Sequence, residues 1–183
     1  MGLGLLLCGY LFCLNLLNVY FLPFASALMF WALKKLSFIN APLNKAKYVL
    51  IPLFFVGSAG ILLALVNSFI IKLSFYDIAS CLLSCMSHLG LLIFMYMLLT
   101  GIRQLTDEVK LTSLSIKAVR NRLFCFFYYV PAFLLELPIW KPTLFFRTAS
   151  FFTIILGIVV FFLNVYLLNS CFRKICMPED ATR

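Results

Sequence analysis

The sequence predicts an all-α integral membrane protein, a single domain of five transmembrane helices with the N-terminus outside and the C-terminus in the cytoplasm. The chain is 64% hydrophobic with a mean hydropathy of +1.09, well above the roughly 45–50% apolar share of a soluble domain. Its apolar residues form continuous runs, which exclude the alternating pattern of a transmembrane sheet. The 15 basic and 6 acidic residues cluster between those runs.

Five apolar runs have the length of about 20 residues that a membrane-crossing helix requires. The first is longer than one crossing needs, and Pro23, two-thirds of the way along it, predicts a kink or a strong tilt. Pro131 predicts a kink in the short fourth span. A cytoplasmic helical hairpin is expected over residues 101–122. The predicted spans are residues 3–33, 48–71, 77–100, 123–140 and 148–172.

The distribution of Lys and Arg orients these spans. Twelve of the 15 cations fall in the first loop, the third loop and the C-terminal tail, which a five-span arrangement places on one side. Cytoplasmic loops carry the excess of Lys and Arg, so these regions are predicted to be cytoplasmic. A four-span arrangement would divide them between the two sides. Because topology explains the net charge of +9, no nucleic-acid partner is expected.

Small and polar residues mark the predicted contact faces between helices, which we call seams. Lipid gives helices no hydrophobic reason to associate, so close approach and hydrogen bonds hold them together. A polar residue in such a seam contributes about 1 kcal/mol or less. The seam of the second span comprises Gly57, Gly60, Ala64 and Ser68, and that of the fifth comprises Ser150, Gly157 and Asn164.

The third span carries the longest polar stripe, formed by Asp77, Cys81, Ser84 and His88 within about 60° of helical arc. Ionisable groups inside a membrane commonly mark functional sites, so the stripe is a candidate polar path for protons or solutes. Packing and hydrogen bonding between helices explain the same residues more simply. A third possibility is a Zn²⁺ or Cu⁺ site with Cys85 beside Cys81 and His88 as soft ligands.

No catalytic or cofactor motif is present in the sequence. The serine elbow, the His-Glu-x-x-His zinc motif and phosphate-binding glycine loops are all missing. We therefore assign no catalytic residue, cofactor or metal. Glu136, near the outer end of the fourth span, is a separate candidate carboxylate.

The composition and span count are typical of small multi-pass proteins of the bacterial plasma membrane, where we expect the chain to reside. We expect a non-enzymatic membrane module, such as an accessory or protective subunit. It would contact membrane lipids and pack with a membrane-protein partner or with itself. The alternatives are a small oligomeric transporter or channel that uses the polar stripe, and an intramembrane enzyme that uses Asp77, His88 or Glu136.

Overall fold

A computed structural model of the chain describes residues 2–12, 21–70, 72, 74–137 and 144–176. The described residues are helical apart from short turns and contain no strand, which confirms the predicted all-α class. α3 and α6 each end in a short π-helical segment, Val66–Ile70 and Phe172–Cys176. In this part of the chain the α-helices are α1 (Gly2–Phe12), α2 (Leu22–Leu36), α3 (Ala41–Leu65), α4 (Tyr76–Glu108), α5 (Thr112–Leu135) and α6 (Leu144–Cys171).

The helices form a bundle in which each packs against the next along the chain and α6 packs back against α1. Neighbouring helices approach closely where one of them carries glycine. A Cβ added to Gly101 of α4 would lie 2.6 Å from Leu43 Cγ of α3, and one added to Gly90 would lie 2.6 Å from Leu53 Cδ2. These two contacts run in opposite order along the chain, so α3 and α4 are antiparallel.

Three of the described helical stretches are long and apolar enough to cross a membrane: Ala41–Phe69, Tyr76–Glu108 and Phe145–Ile175. They correspond to the second, third and fifth predicted spans. α5 is 24 residues long, but its first half carries Lys117, Arg120 and Arg122, which lower its hydropathy. The end of the predicted fourth span, residues 138–140, lies outside the described residues.

The structure differs from the predicted first span over residues 3–33, with its expected kink or tilt at Pro23, because α1 and α2 are separate helices packed side by side. A Cβ added to Gly2 would lie 2.7 Å from Leu36 Cγ, and one added to Gly9 would lie 2.7 Å from Met29 Cγ. The two helices are therefore antiparallel and form a hairpin. Residues 13–20, between them, lie outside the described residues.

Pro23 accounts for part of this difference, because it stands in the first turn of α2 rather than inside a longer helix. The N–H groups of the first turn have no acceptor within the helix, so proline, which lacks an N–H, costs no helical hydrogen bond at that position. With 11 and 15 residues, α1 and α2 are about 17 and 23 Å long. Each is shorter than the roughly 30 Å hydrocarbon core of a bilayer.

The start of α1 lies at the same end of the bundle as the basic clusters. A Cβ on Gly4 would lie 3.2 Å from the ring of Phe172 at the end of α6. Asn40, which caps α3, donates its side-chain N–H to Gly101 O of α4 over 2.9 Å. This arrangement differs from the predicted one, in which the N-terminus and the basic clusters lie on opposite sides. We call this end the basic end, and it holds Lys34, Lys35, Arg103, Arg173 and Lys174.

A tight turn joins α4 to α5 within the region predicted as a hairpin, residues 101–122. Lys110 adopts the left-handed conformation, with a φ of 59°. The N–H of Leu111 donates to Thr106 O over 2.8 Å, and that of Lys110 donates to Asp107 O over 3.0 Å. This is the Schellman pattern of helix termination, which usually has glycine at the left-handed position. The chain reverses there, and both arms continue as the long helices α4 and α5.

Candidate functional site

Cys81 of the polar stripe and the neighbouring Cys85 connect α4 to the C-terminal end of α5. The thiol of Cys81 donates to the backbone oxygen of Glu136, and that of Cys85 donates to Phe133 O over 3.8 Å. Both carbonyls belong to the end of α5, where the last four carbonyls of a helix have no intrahelical partner. This half of the stripe therefore takes part in helix packing.

His88 lies one helical turn further along α4. Its Nδ1 lies 2.9 Å from Ser84 O, a carbonyl that also accepts a hydrogen bond from the Ser87 hydroxyl over 2.7 Å. Because a carbonyl only accepts, Nδ1 carries the proton in this contact, and the neutral ring keeps Nε2 as its acceptor. The edge of the imidazole ring approaches the Tyr129 ring, with 6.4 Å between centroids.

A cavity of about 470 Å³ lies between α4, α5 and α6. α4 contributes His88, and the wall is otherwise made by α5 and α6. Seven of the twelve lining residues are glycine, aliphatic or phenylalanine, including Ile154 and Phe161. Mostly apolar walls with a few polar groups are typical of sites for small molecules. The polar lining residues are His88, Tyr128, Glu136, Ser150 and Thr153.

The cavity lies in the half of the bundle away from the basic end. The beginning of α2 reaches only the middle of α3, where Pro23 Cδ would lie 2.6 Å from a Cβ on Gly57. Tyr10, near the end of α1, stacks on Phe161 with 5.3 Å between ring centroids. Beyond this level the described bundle consists of α3 to α6. α1 and α2 therefore fill the basic half, whereas the other half contains the cavity.

The structure brings two of the predicted ionisable residues to one cavity, because His88 and Glu136 both line it. Asp77 is exposed in the first turn of α4 and does not line the cavity, and neither does Ser84. Cys81 and Cys85 bond to α5 instead of facing His88. Within the described residues, no three His, Cys, Asp or Glu side chains are placed to hold a metal ion.

The predicted seams occupy different environments. In the fifth span, Gly157 is covered by the Tyr128 ring and Asn164 is buried, while Ser150 lines the cavity. In the second span, Gly57 and Gly60 are buried, but the same stripe continues through the half-buried Ala64 to the exposed Ser68. The part of that stripe beside α2 is packed, and the part beyond α2 is open.

Sequence reasoning missed Asn121 and Tyr10, which belong to a buried hydrogen-bond network with Asn164. Asn121 lies between Arg120 and Arg122, so the pattern there indicates a basic loop. The sequence signal for Asn121 is that it belongs to a series of residues spaced alternately by four and three positions along α5, which is typical of a buried helix face. The members of that face are Leu114, Ala118, Asn121, Cys125, Tyr128 and Ala132, and all are buried.

The cavity combines a hydrogen-bond acceptor on His88, the Glu136 carboxylate and the hydroxyls of Ser150 and Thr153 with apolar walls. This set of groups can orient an amphiphilic molecule. A scan of protein-family models and searches of curated proteins and solved structures found no match for the chain.

Proposed function

We propose that the protein is a multi-pass membrane protein that acts as a non-enzymatic binding module, and that the cavity holds a membrane lipid. The cavity between α4, α5 and α6 is the observation that carries this proposal. Its volume and largely apolar lining suit an acyl chain, and its polar residues lie where a headgroup or glycerol oxygen can reach them. A lipid is also the one ligand that surrounds every membrane-spanning helix.

The proposed topology has four crossing helices, α3 to α6, with the basic end in the cytoplasm. The α1–α2 hairpin then enters the membrane from the cytoplasmic side without crossing it. Because the crossing that this topology leaves out is the first one, before the first basic loop, four crossings here keep all the basic clusters on one side, in agreement with the positive-inside rule. We propose the bacterial plasma membrane as the location; the three long apolar helices support residence in a membrane but do not identify which one.

Cation–π contacts support the position of the basic end at a membrane surface. Lys35 Nζ lies 5.6 Å from the centroid of the Trp31 ring, and Lys117 Nζ lies 4.9 Å from that of Tyr166. The Arg122 guanidinium lies 5.1 Å from the Tyr96 ring. Tyr and Trp are enriched at headgroup level, where Lys and Arg side chains also reach water.

Filling the cavity tests the proposal. The full-length protein is purified in mild detergent, and retained lipid is measured by native mass spectrometry and by extraction. Ser150→Phe places a ring in the cavity, whereas Ile155→Phe changes an exposed α6 position outside it and serves as the matched control. We expect the wild type and the control to retain lipid and Ser150→Phe to lose most of it. Equal retention by all three proteins, or no retention by any, would contradict the proposal.

A transporter or channel remains the alternative, supported by the presence of His88 and Glu136 in one cavity. The hydrogen bonds of Cys81 and Cys85 to α5 favour packing over a continuous path along the stripe. The transporter mechanism requires solute or proton flux in liposomes that His88→Ala or Glu136→Gln abolishes. Absence of flux in wild-type liposomes excludes it under those conditions.

A further inference from the structure

We infer that the lipid in this cavity is a zwitterionic phospholipid, with its ammonium group on Glu136, its phosphate on Arg147 and an acyl chain between α4, α5 and α6. This inference rests on the proposed function and names the class of lipid. It is carried by two opposite charges at the mouth of the cavity.

Arg147 lies on the cavity-facing side of α6. Arg147 and the lining residues Ser150, Ile154 and Gly157 follow one another at intervals of three, four and three residues, which keeps all four on one side of the helix. Arg147 itself is exposed, about 4.5 Å beyond Ser150 along the helix axis. It therefore continues the cavity wall outward by one turn.

Glu136 lies opposite this turn on α5. α5 and α6 are antiparallel, since Tyr128 packs on Gly157 and Asn121 bonds to Asn164 seven residues closer to the basic end. If this register continues, the end of α5 lies level with the turn of α6 that contains Arg147. Glu136 lines the cavity there and is exposed.

The two charges do not neutralise each other. Among the described residues, the ion pair within 4 Å is Arg103–Asp107, at the basic end. Glu136 and Arg147 thus lie at the same end of the cavity and form no ion pair with each other. A guanidinium binds phosphate with two parallel hydrogen bonds, and a carboxylate accepts from ammonium. A phosphoethanolamine headgroup carries both of these groups, whereas an anionic headgroup leaves Glu136 facing negative charge.

Competition between lipids tests the inference. The full-length protein is reconstituted in nanodiscs with equal amounts of phosphatidylethanolamine and phosphatidylglycerol of the same acyl chains, and the lipids retained after release are measured by native mass spectrometry. We expect the wild type to retain mainly phosphatidylethanolamine. Glu136→Gln should lower this preference by about fivefold, the upper effect of one exposed charge pair. Arg147→Gln should lower the retention of both lipids.

Arg173→Gln, at the exposed basic end, is the matched control and should leave the preference unchanged. An unchanged preference in Glu136→Gln, together with lipid loss in Ser150→Phe, would overturn the headgroup assignment and leave the cavity proposal standing. Unchanged lipid retention in Ser150→Phe would instead overturn the cavity proposal itself.

Discussion

Asn121 and Asn164 join α5 to α6 inside the bundle, with Asn121 Nδ2 donating to Asn164 Oδ1 over 3.1 Å. Asn164 Nδ2 in turn donates to the Tyr10 hydroxyl over 3.1 Å, so the network reaches α1. All three side chains are at most 2% exposed. Such a network favours one pairing of helix faces and one register, because a shift would separate the two asparagines. Asn121 Oδ1 has no hydrogen-bond partner among the described residues.

A double-mutant cycle measures the coupling between the two asparagines. Asn121→Ala and Asn164→Ala should each destabilise the protein, since each leaves a buried polar partner with fewer hydrogen bonds. The double variant should be less destabilised than the sum of the two, with a coupling of about 0.6 kcal/mol and at most about 1.7. Unfolding by SDS in mixed micelles provides the free energies. Strict additivity would show that the hydrogen bond contributes no net coupling.

Gly157 should tolerate no side chain while Tyr128 is present. A Cβ there would lie 2.6 Å from Cε2 of the tyrosine ring, and overpacking of this kind costs about 1–3 kcal/mol. We expect Gly157→Ala to lower the free energy of unfolding by that amount, and to cost less in a Tyr128→Leu background. Gly4→Ala is the control, since its nearest contact is 3.2 Å away, on the Phe172 ring. Equal costs in both backgrounds would contradict the steric explanation.

Replacing Lys110 with glycine should stabilise the protein. A non-glycine residue in the left-handed region destabilises the folded protein by roughly 1–2 kcal/mol. Glycine removes this strain, but part of the gain is offset because glycine loses more conformational entropy on folding. Lys110→Gly is expected to raise the free energy of unfolding by about 0.5–1 kcal/mol. Lys110→Ala removes the charge but keeps the unfavourable φ, so it should change little. If the alanine variant is stabilised as much as the glycine variant, the charge rather than the backbone is responsible.

The two ends of the chain should lie on the same side of the membrane. The start of α1 and the end of α6 meet at Gly4 and Phe172, so peptide tags fused to either terminus should share one compartment. Protease digestion of both tags in sealed vesicles of known orientation measures this directly. Tags on opposite sides would contradict the α1–α2 hairpin and favour five crossings.

The sequence was sufficient to predict the long apolar helices, because continuous hydrophobic runs bounded by charges have few other solutions. It failed at the N-terminus, where the apolar run from Leu3 to Leu33 contains no charged residue to mark a chain reversal. The one local signal was Pro23, and proline is equally compatible with a kink and with a helix start.

The cavity residues were predicted individually rather than as a site. His88, Glu136, Ser150 and Gly157 were each singled out from the sequence, as a polar stripe, a carboxylate and a seam. Periodicity gives the face of each helix but not which helices are neighbours. These residues come together only because α6 packs against α5 and α5 packs against α4, and contacts between residues far apart in the sequence determine that packing.

The short hairpin at the beginning of the chain has a consequence for the order of assembly. With 11 and 15 residues, α1 and α2 are each shorter than the roughly 20 residues that a crossing helix requires. The surfaces that bury it belong to α3 and to α6, and both of these helices follow it in the chain. The hairpin thus leaves the ribosome before the helices that bury it, and it can reach its final position only after they have been synthesised.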